Sequence, residues 1–413
     1  MLFLLAVCTG SSEAEIAINF WHAMEGPKAQ LMDEMAKDFM KEYPAIAVNV
    51  SLQGGYTDMV RKIQAGILAN ALPDVAMLGQ RHGLPHITDS GRLIALDSIL
   101  SQEDRKDISA QLFARYTYKG RIMAIPFAIS TPVLHINATR FREVGLNPDK
   151  PPTTWDELLA YAKRLTRDLD GDGRPDKWGF NFHGDTPWHV YAFIYQNGDD
   201  IYGKDGRSRL DSPAAIEAVQ FVADLFHKHK VAPANAHERA AKLFTAGNLA
   251  MFQRSSAFIE EAVKQLGKRF EYRVAYLPKG KVYAVPDGGG GLAAFKSVPV
   301  REKAALAFLK WMTSTEGIAR FSRETGYITF RKSSRDLKEM KDFFAKNPWD
   351  HVAAEQMDYV RSNPVNHADS AVWTGIGRLL KKVETDPKAD IAALMKEFNS
   401  KINSKEMAEY RGP

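Results

Sequence analysis

Apolar positions switch between two periods along the chain. Ile16–Phe20 (IAINF) is a short apolar run of strand length, Ile46–Leu52 (IAVNVSL) alternates apolar and polar, and Asp74–Leu78 (DVAML) reads as a buried strand. Between them, Lys28–Tyr43 and Asp58–Ala69 carry apolar residues at helical spacing, and the first of these stops at Pro44. This β-α-β-α-β order predicts a mostly parallel sheet with helices on both faces. Ile122–Phe127 and Thr131–Asn137 are two adjacent strand-like runs. A second series follows, with helix Trp155–Arg167, strand Trp178–Phe182, helix Ala214–His229, strand Leu249–Gln253 and helix Ala257–Leu266. Arg273–Leu277 and Leu292–Phe295 are strand-like, Glu302–Ser314 is helical, and amphipathic stretches run from Leu337 to Tyr410. No repeat and no low-complexity linker separates the two series. Two lobes joined by strand-like crossings, with the chain returning to the first lobe, fit this order. Ligands of open α/β sheets bind beyond the carboxyl ends of strands, so the cleft between lobes is the expected site.

Composition narrows the class. At roughly 150 residues per domain, 413 residues predict two to three domains. Charged residues at 25% and hydrophobic residues at 45% exclude a wholly disordered chain and a multi-span membrane protein. A net charge of +5, with no basic block free of acids, argues against a nucleic-acid partner. One cysteine allows no intrachain disulfide. The chain holds no phosphate loop, no His-Glu-x-x-His and no Gly-x-Ser-x-Gly. That lone cysteine ends Leu5-Ala6-Val7-Cys8, which resembles a bacterial lipobox, with Thr9–Glu13 as a polar tether. Residues 1–14 are therefore read as a signal remnant and tether, with Cys8 as the lipidated residue.

Several segments are familiar in combination. They are Phe20-Trp-His-Ala-Met-Glu-Gly26, Gly54-Gly-Tyr56, Pro126-Phe127, Ser130-Thr-Pro-Val-Leu134 with Asn137, and Pro151-Pro-Thr-Thr-Trp-Asp-Glu-Leu158. Phe244-x-x-Gly247-x-x-Ala-Met251 before Ser255-Ser256, and Thr325-Gly-Tyr327, complete the set. Over about residues 15 to 400 the chain resembles the family-1 extracellular solute-binding proteins of ABC importers, and within them the branch that binds glycerol-3-phosphate. The resemblance implies an α/β, two-lobed periplasmic-binding-protein fold of class II type, with mixed sheets flanked by helices. It implies a first lobe from 15–127 and 273–326 and a second from 128–272 and 327–413. It also implies a monomer in the periplasm, or on the extracytoplasmic membrane face, that carries a phosphorylated polyol or a carbohydrate to the transmembrane subunits of a permease. No catalytic turnover and no cofactor are expected.

The candidate ligand residues come from both sources. Trp21 ends the first strand and offers a stacking face, and Glu25 opens the next loop and offers a carboxylate; each residue type also serves ordinary packing or helix starts. The resemblance assigns ligand roles to Tyr56, Ser130, Tyr327 and a glycine aligned with Gly289 or Gly290, within the run Gly288–Gly291. Ser255 and Ser256 stand where a strand gives way to a helix, a place that favours an anion or a plain N-cap. Trp188 and Trp373, in loop-like surroundings, are candidate cleft walls. The family's acid after the third strand falls at Gln80, and its late arginine has no clean match before Arg378. These two departures make a neutral oligosaccharide, such as maltose or trehalose, the rival ligand. A carbohydrate-active hydrolase would need two facing carboxylates, for which Glu25 with Asp58 or Asp199 are the candidates. Asp168, Asp170, Asp172 and Asp176 occupy positions 1, 3, 5 and 9 of a calcium-type loop that lacks the acid at position 12, so a structural calcium ion and a plain Asp/Gly turn are both readings of it.

If Cys8 carries lipid, Cys8→Ser should release the protein from the membrane fraction of its native host. Unchanged fractionation would remove the anchor.

Overall fold

The computed structural model describes residues 16–79, 84–182, 187–236, 239–363 and 365–404. Cys8, Gln80 and the tether lie outside the described residues. Two sheets carry the fold. In the first, Ile46–Leu52, Ile16–His22 and Val75–Gly79 run parallel, and Gly288–Ala294 then pairs antiparallel with both Val75–Gly79 and Ile125–Ser130. The expected mostly parallel sheet is thus mixed. Parallel pairing is confined to its first three strands; Ile125–Ser130 leads out of this lobe, and Gly288–Ala294 returns to it from the other. The second sheet has the order Tyr272–Ala275, Pro132–Asn137, Leu249–Ser255, Trp178–Phe182.

Helices form where the pattern and the caps agree. Thr154 accepts from the Glu157 amide and starts Trp155–Leu165, and Ser212 does the same for Pro213–Phe226. Pro27–Glu42 packs Leu31, Met32, Met35 and Phe39 on the first sheet. One apolar core fills the first lobe and reaches one face of the second sheet through Phe244, Phe252 and Phe258. A second core, around Phe180, Tyr191, Val219 and Leu380, lies under the opposite face.

The crossings between sheets are short. Only Thr131 separates Ile125–Ser130 from Pro132–Asn137. The return crossing carries Val285–Pro286, which pairs with Val360–Arg361 of the third. Gln356, 1% exposed, ties all three. Its amide nitrogen donates to Thr131 Oγ1 (3.1 Å) and Pro132 O (2.9 Å), and its oxygen accepts from Leu277 N (2.7 Å).

Two expected boundaries move. Tyr272–Ala275 pairs with Pro132–Asn137, so the chain re-enters the first sheet at Gly288 and not at 273. The stretch after 326 also stays with the first lobe. Ile328 N donates to Ile129 O (2.7 Å), and the buried Arg331 guanidinium holds Asp104 and Asp107, each at 2.7 Å. The helix Pro348–Gln356 then packs on Tyr272–Ala275 of the second sheet, ahead of the passage at Val360–Arg361.

Beside the return crossing, Arg115 and Asp287 form an ion pair at 2.8 Å with exposures of 3% and 0%. Burial lowers the guanidinium's proton affinity, and Asp287 outweighs it, so the net shift is upward. Arg115→Met leaves Asp287 buried without its cation. It should cost about 3–5 kcal/mol in urea unfolding, and adding Asp287→Asn should restore part of the loss. A loss below about 1 kcal/mol for the single variant would contradict this account.

Candidate functional site

The site is built around a strand whose first four residues carry no side chains. Gly288–Ala294 opens with four glycines, and three of them stand where a ring from elsewhere occupies the place of a Cβ. At Gly290 a Cβ would lie 2.8 Å from the Tyr56 ring and 2.9 Å from its hydroxyl. At Gly288 it would lie 2.6 Å from the Trp188 indole and 2.8 Å from Ser130 Oγ, and at Gly291 it would lie 2.8 Å from the Tyr116 ring. Gly79, on the neighbouring strand, would meet Tyr56 Cβ at 2.7 Å. The Tyr56 ring is therefore held against two strands whose missing side chains make room for it. Gly289 faces the other way. Its φ is +99° and a Cβ would meet Ala128 O at 1.6 Å, so this position serves the backbone alone.

Trp188 brings the second lobe to this strand. Its indole N–H donates to Asp287 O (2.7 Å). Loop-like surroundings were expected for Trp188, but it stands second in the helix Pro187–Gln196, all of whose residues are buried. Ser130 sits opposite Gly288 in register. Thus Tyr56, Ser130, Trp188 and Gly290 come together, with Tyr116 as a neighbour that sequence reasoning missed. Nothing in periodicity marks Tyr116, since its signal is only the glycine opposite.

Tyr327 extends the same wall. Its ring stacks on Phe321 (5.4 Å), and the Lys28 ammonium lies 4.9 Å from its centroid. Burial, with Tyr327 and Tyr116 adding, pushes the Tyr56 hydroxyl well above its ordinary range, and burial also raises Tyr327. Lys28, half-buried at the start of Pro27–Glu42, is lowered by burial, while Glu260 and Glu261 of the second lobe oppose the shift. Sequence reasoning also missed Lys28. Trp21 is half-buried at the end of Ile16–His22 and packs on the first-lobe core; Glu25 is exposed beside Gly26.

The serine pair divides. Ser255 Oγ accepts from Ala257 N (3.2 Å) and caps the short turn Ser256–Phe258. Ser256 is fully buried. Its amide donates to Thr131 O (2.8 Å) and its hydroxyl accepts from Thr131 N (3.4 Å), so this serine serves the crossing and is not presented to the cleft. Trp373 lies in the helix Asp369–Thr385, edge-on to Tyr191 at 6.2 Å, as part of the second-lobe packing and not in a loop. Arg378, one turn on, is exposed in a groove of about 740 Å3 lined by His86 of the first lobe and the last two helices of the second.

Asp168, Asp170 and Asp176 gather their carboxylates within 4.8 Å, and Asp172 is not in that group. All are exposed, and all four accept from amides of their own loop, namely Gly171 and Gly173 on Asp168, Asp172 on Asp170, Arg174 on Asp172, and Leu169 on Asp176. Of the hydrolase candidates, Asp58 pairs with Arg61 (3.4 Å) and Asp199 with Arg209 (2.9 Å), so neither acid faces Glu25 as half of a pair.

Two lobes on mixed sheets, three crossings and an aromatic cleft define a solute-binding protein. The description of bacterial extracellular solute-binding proteins matches residues 34–349, and the chain belongs to that family. Among its relatives is the sn-glycerol-3-phosphate-binding periplasmic protein UgpB of Escherichia coli (strain K12), 24% identical over 364 residues, 84% of this chain and 82% of that protein. UgpB from Mycobacterium tuberculosis, solved in complex with glycerophosphocholine, is 27% identical with a TM-score of 0.79, covering 94% of this chain and 97% of that one. The cyclic alpha-maltosyl-1,6-maltose binding protein from Arthrobacter globiformis shares the fold, with a TM-score of 0.81, 23% identity and coverage of 94% and 98%. Among the described residues no helix is long and apolar enough to cross a membrane.

One buried group beneath the site sets an acid limit. His135 is fully buried, 2.6 Å from the Tyr272 hydroxyl and 3.3 Å from the carbonyls of Arg254 and Ser255. Burial, with Arg254 adding, holds it down to about 3. An unfolded chain takes that proton first, near 6.5, so this contribution is present above pH 6.5 and is lost as pH falls toward 3. His135→Gln should flatten the fall in melting temperature across that window. An unchanged slope would show that other groups set it.

Proposed function

We propose that this chain is the extracytoplasmic solute-binding component of an ABC importer, and that its lobes close on a glycerol-3-phosphate-like solute, a glycerophosphodiester included, and hand it unchanged to the transmembrane subunits of a permease. The observation that carries the reading is the cradle on the glycine strand. Tyr56, Tyr327 and Lys28 come from the first lobe and Trp188 from the second, so a solute held there touches both. A half-buried ammonium over the Tyr327 ring, on the wall that carries the Tyr56 hydroxyl, suits a phosphoryl oxygen, since hydrogen bonds to charged groups are the stronger ones. The bound glycerophosphocholine of the Mycobacterium tuberculosis protein supports the same solute class. Asp58 and Asp199 each pair with an arginine, so among the described residues these candidate acids do not stand as a facing pair for hydrolysis. Lipidation at Cys8 would keep the receptor near its permease.

The half-buried faces of Trp21, Tyr56 and Tyr327 favour a second reading, a neutral oligosaccharide such as maltose or trehalose stacked on the rings.

A thermal-shift and calorimetry panel of glycerol-3-phosphate, glycerophosphocholine, maltose and trehalose separates the two. A true ligand at 100 times its dissociation constant stabilises by about 2.7 kcal/mol. Lys28→Met should weaken a phosphorylated solute by about 1.5–3 kcal/mol and leave a sugar nearly untouched. Stabilisation by none of the four would reject both solute classes, and appearance of a hydrolysis product would reject the binding role.

A further inference from the structure

The two lobes also meet away from the solute wall. His367 precedes the second-lobe helix Asp369–Thr385, whose Val372 and Ile376 belong to the second core. Facing it are two first-lobe elements, the short helix Leu84–Asp89 and the turn that joins Thr117–Tyr118 to Arg121–Ile122. The Tyr118 hydroxyl donates to Asp89 Oδ2 (2.9 Å) and lies 2.6 Å from His367 Nε2. His367 Nε2 is itself 3.3 Å from Asp89 Oδ2. The His86 ring stands edge-on to His367 at 5.1 Å, and Lys119 Nζ holds the other Asp89 oxygen at 3.2 Å. The His367 side chain is 7% exposed. Resting on the reading that the lobes close on a solute, we propose that His367, Tyr118 and Asp89 form an interlobe latch that closes with His367 neutral and is released when that imidazole takes a proton.

The geometry gives the direction. With its proton on Nε2, a neutral imidazole donates to Tyr118, whose own proton goes to Asp89. The result is one continuous chain of hydrogen bonds across the lobe boundary. An added proton goes to Nδ1, which is buried and has no hydrogen-bond partner among the described residues. It also sets a positive charge against Lys119 and the His86 ring from the first lobe. On its own side, Asp369 is tied to the Asn366 amide (3.0 Å), and Arg378 and Lys382 line the same groove. Glu397 lines that groove too, and among the described residues Asp89 is the carboxylate that touches the imidazole and favours the cation. Burial outweighs it, with His86 and Lys119 adding, so the His367 imidazole is held below its ordinary value. An open protein, with His367 in water, takes the proton at higher pH than a closed one. Acid therefore favours opening, and closure strengthens as pH rises through the histidine range.

The test reads lobe separation directly. Spin labels at Leu68→Cys on the first lobe and Val263→Cys on the second, both exposed positions, are placed in a Cys8→Ser background. Distances are measured by pulsed dipolar spectroscopy at pH 5.5 and 7.5, without solute and with glycerophosphocholine or maltose. The latch requires a severalfold fall in the closed fraction of the solute-free protein from pH 7.5 to 5.5. It requires His367→Gln, which hydrogen-bonds without titrating, to flatten that pH response. It also requires Tyr118→Phe to lower the closed fraction at pH 7.5. An identical pH response in wild type and His367→Gln, or none in wild type, overturns the latch. A pH response that vanishes in His367→Gln, with no effect of either solute at pH 7.5, supports the latch and counts instead against the solute reading.

Discussion

A strand whose first four residues can carry no side chains organises this protein. Gly288, Gly290 and Gly291 leave space filled by Trp188, Tyr56 and Tyr116, and Gly289 passes its backbone against Ala128 at a φ closed to other residues. Glycine weakens a strand through lost packing and added chain entropy. Here the packing is supplied from outside, by rings from three separate segments. The same bare strand joins the two outer parts of the first sheet and lies next to the buried Arg115–Asp287 pair. The aromatic wall, sheet continuity and the return crossing therefore depend on one short run.

The crossings translate that arrangement into motion. Gln356, just before the third crossing, bonds to the other two, and Ser256 spends its buried hydroxyl on Thr131. Short crossings fixed by buried hydrogen bonds allow rotation of one lobe against the other while limiting shear, the condition for hinge closure. Contacts between the lobes then lie on both sides of the cleft. Lys28 faces Glu260 and Glu261, and His367 faces Asp89 and Tyr118.

Much of the fold is legible in the pattern, for a physical reason. Ile46–Leu52 and Trp178–Phe182 lie where periodicity puts them, because each strand alternates or is bounded by turn residues. Helices with one apolar face, such as Pro27–Glu42 and Trp155–Leu165, are equally plain. Pro187–Gln196 is hidden because every face of it is buried, which erases the helical period. Gly288–Gly291 reads as a loop because strand signals rest on side chains this strand lacks. For the cleft, the resemblance singled out Tyr56, Ser130, Tyr327 and the glycines, all of which lie on or near one wall. It could not show that Ser256 turns inward or that Trp373 packs in the second core. Those outcomes depend on Thr131 and Tyr191, distant in sequence, and local pattern carries no record of such partners.

The central claim is that the cleft works because Trp188 of one lobe rests on bare backbone of the other. Gly288→Ala tests it most directly, by placing one methyl group where the indole now lies. Calorimetry with the solute that binds wild type should show an affinity at least about tenfold weaker, or roughly 1.4 kcal/mol, in a variant that still melts cooperatively. Wild-type affinity in folded Gly288→Ala protein would contradict the account, since the lobes would then close without the contact on which it rests.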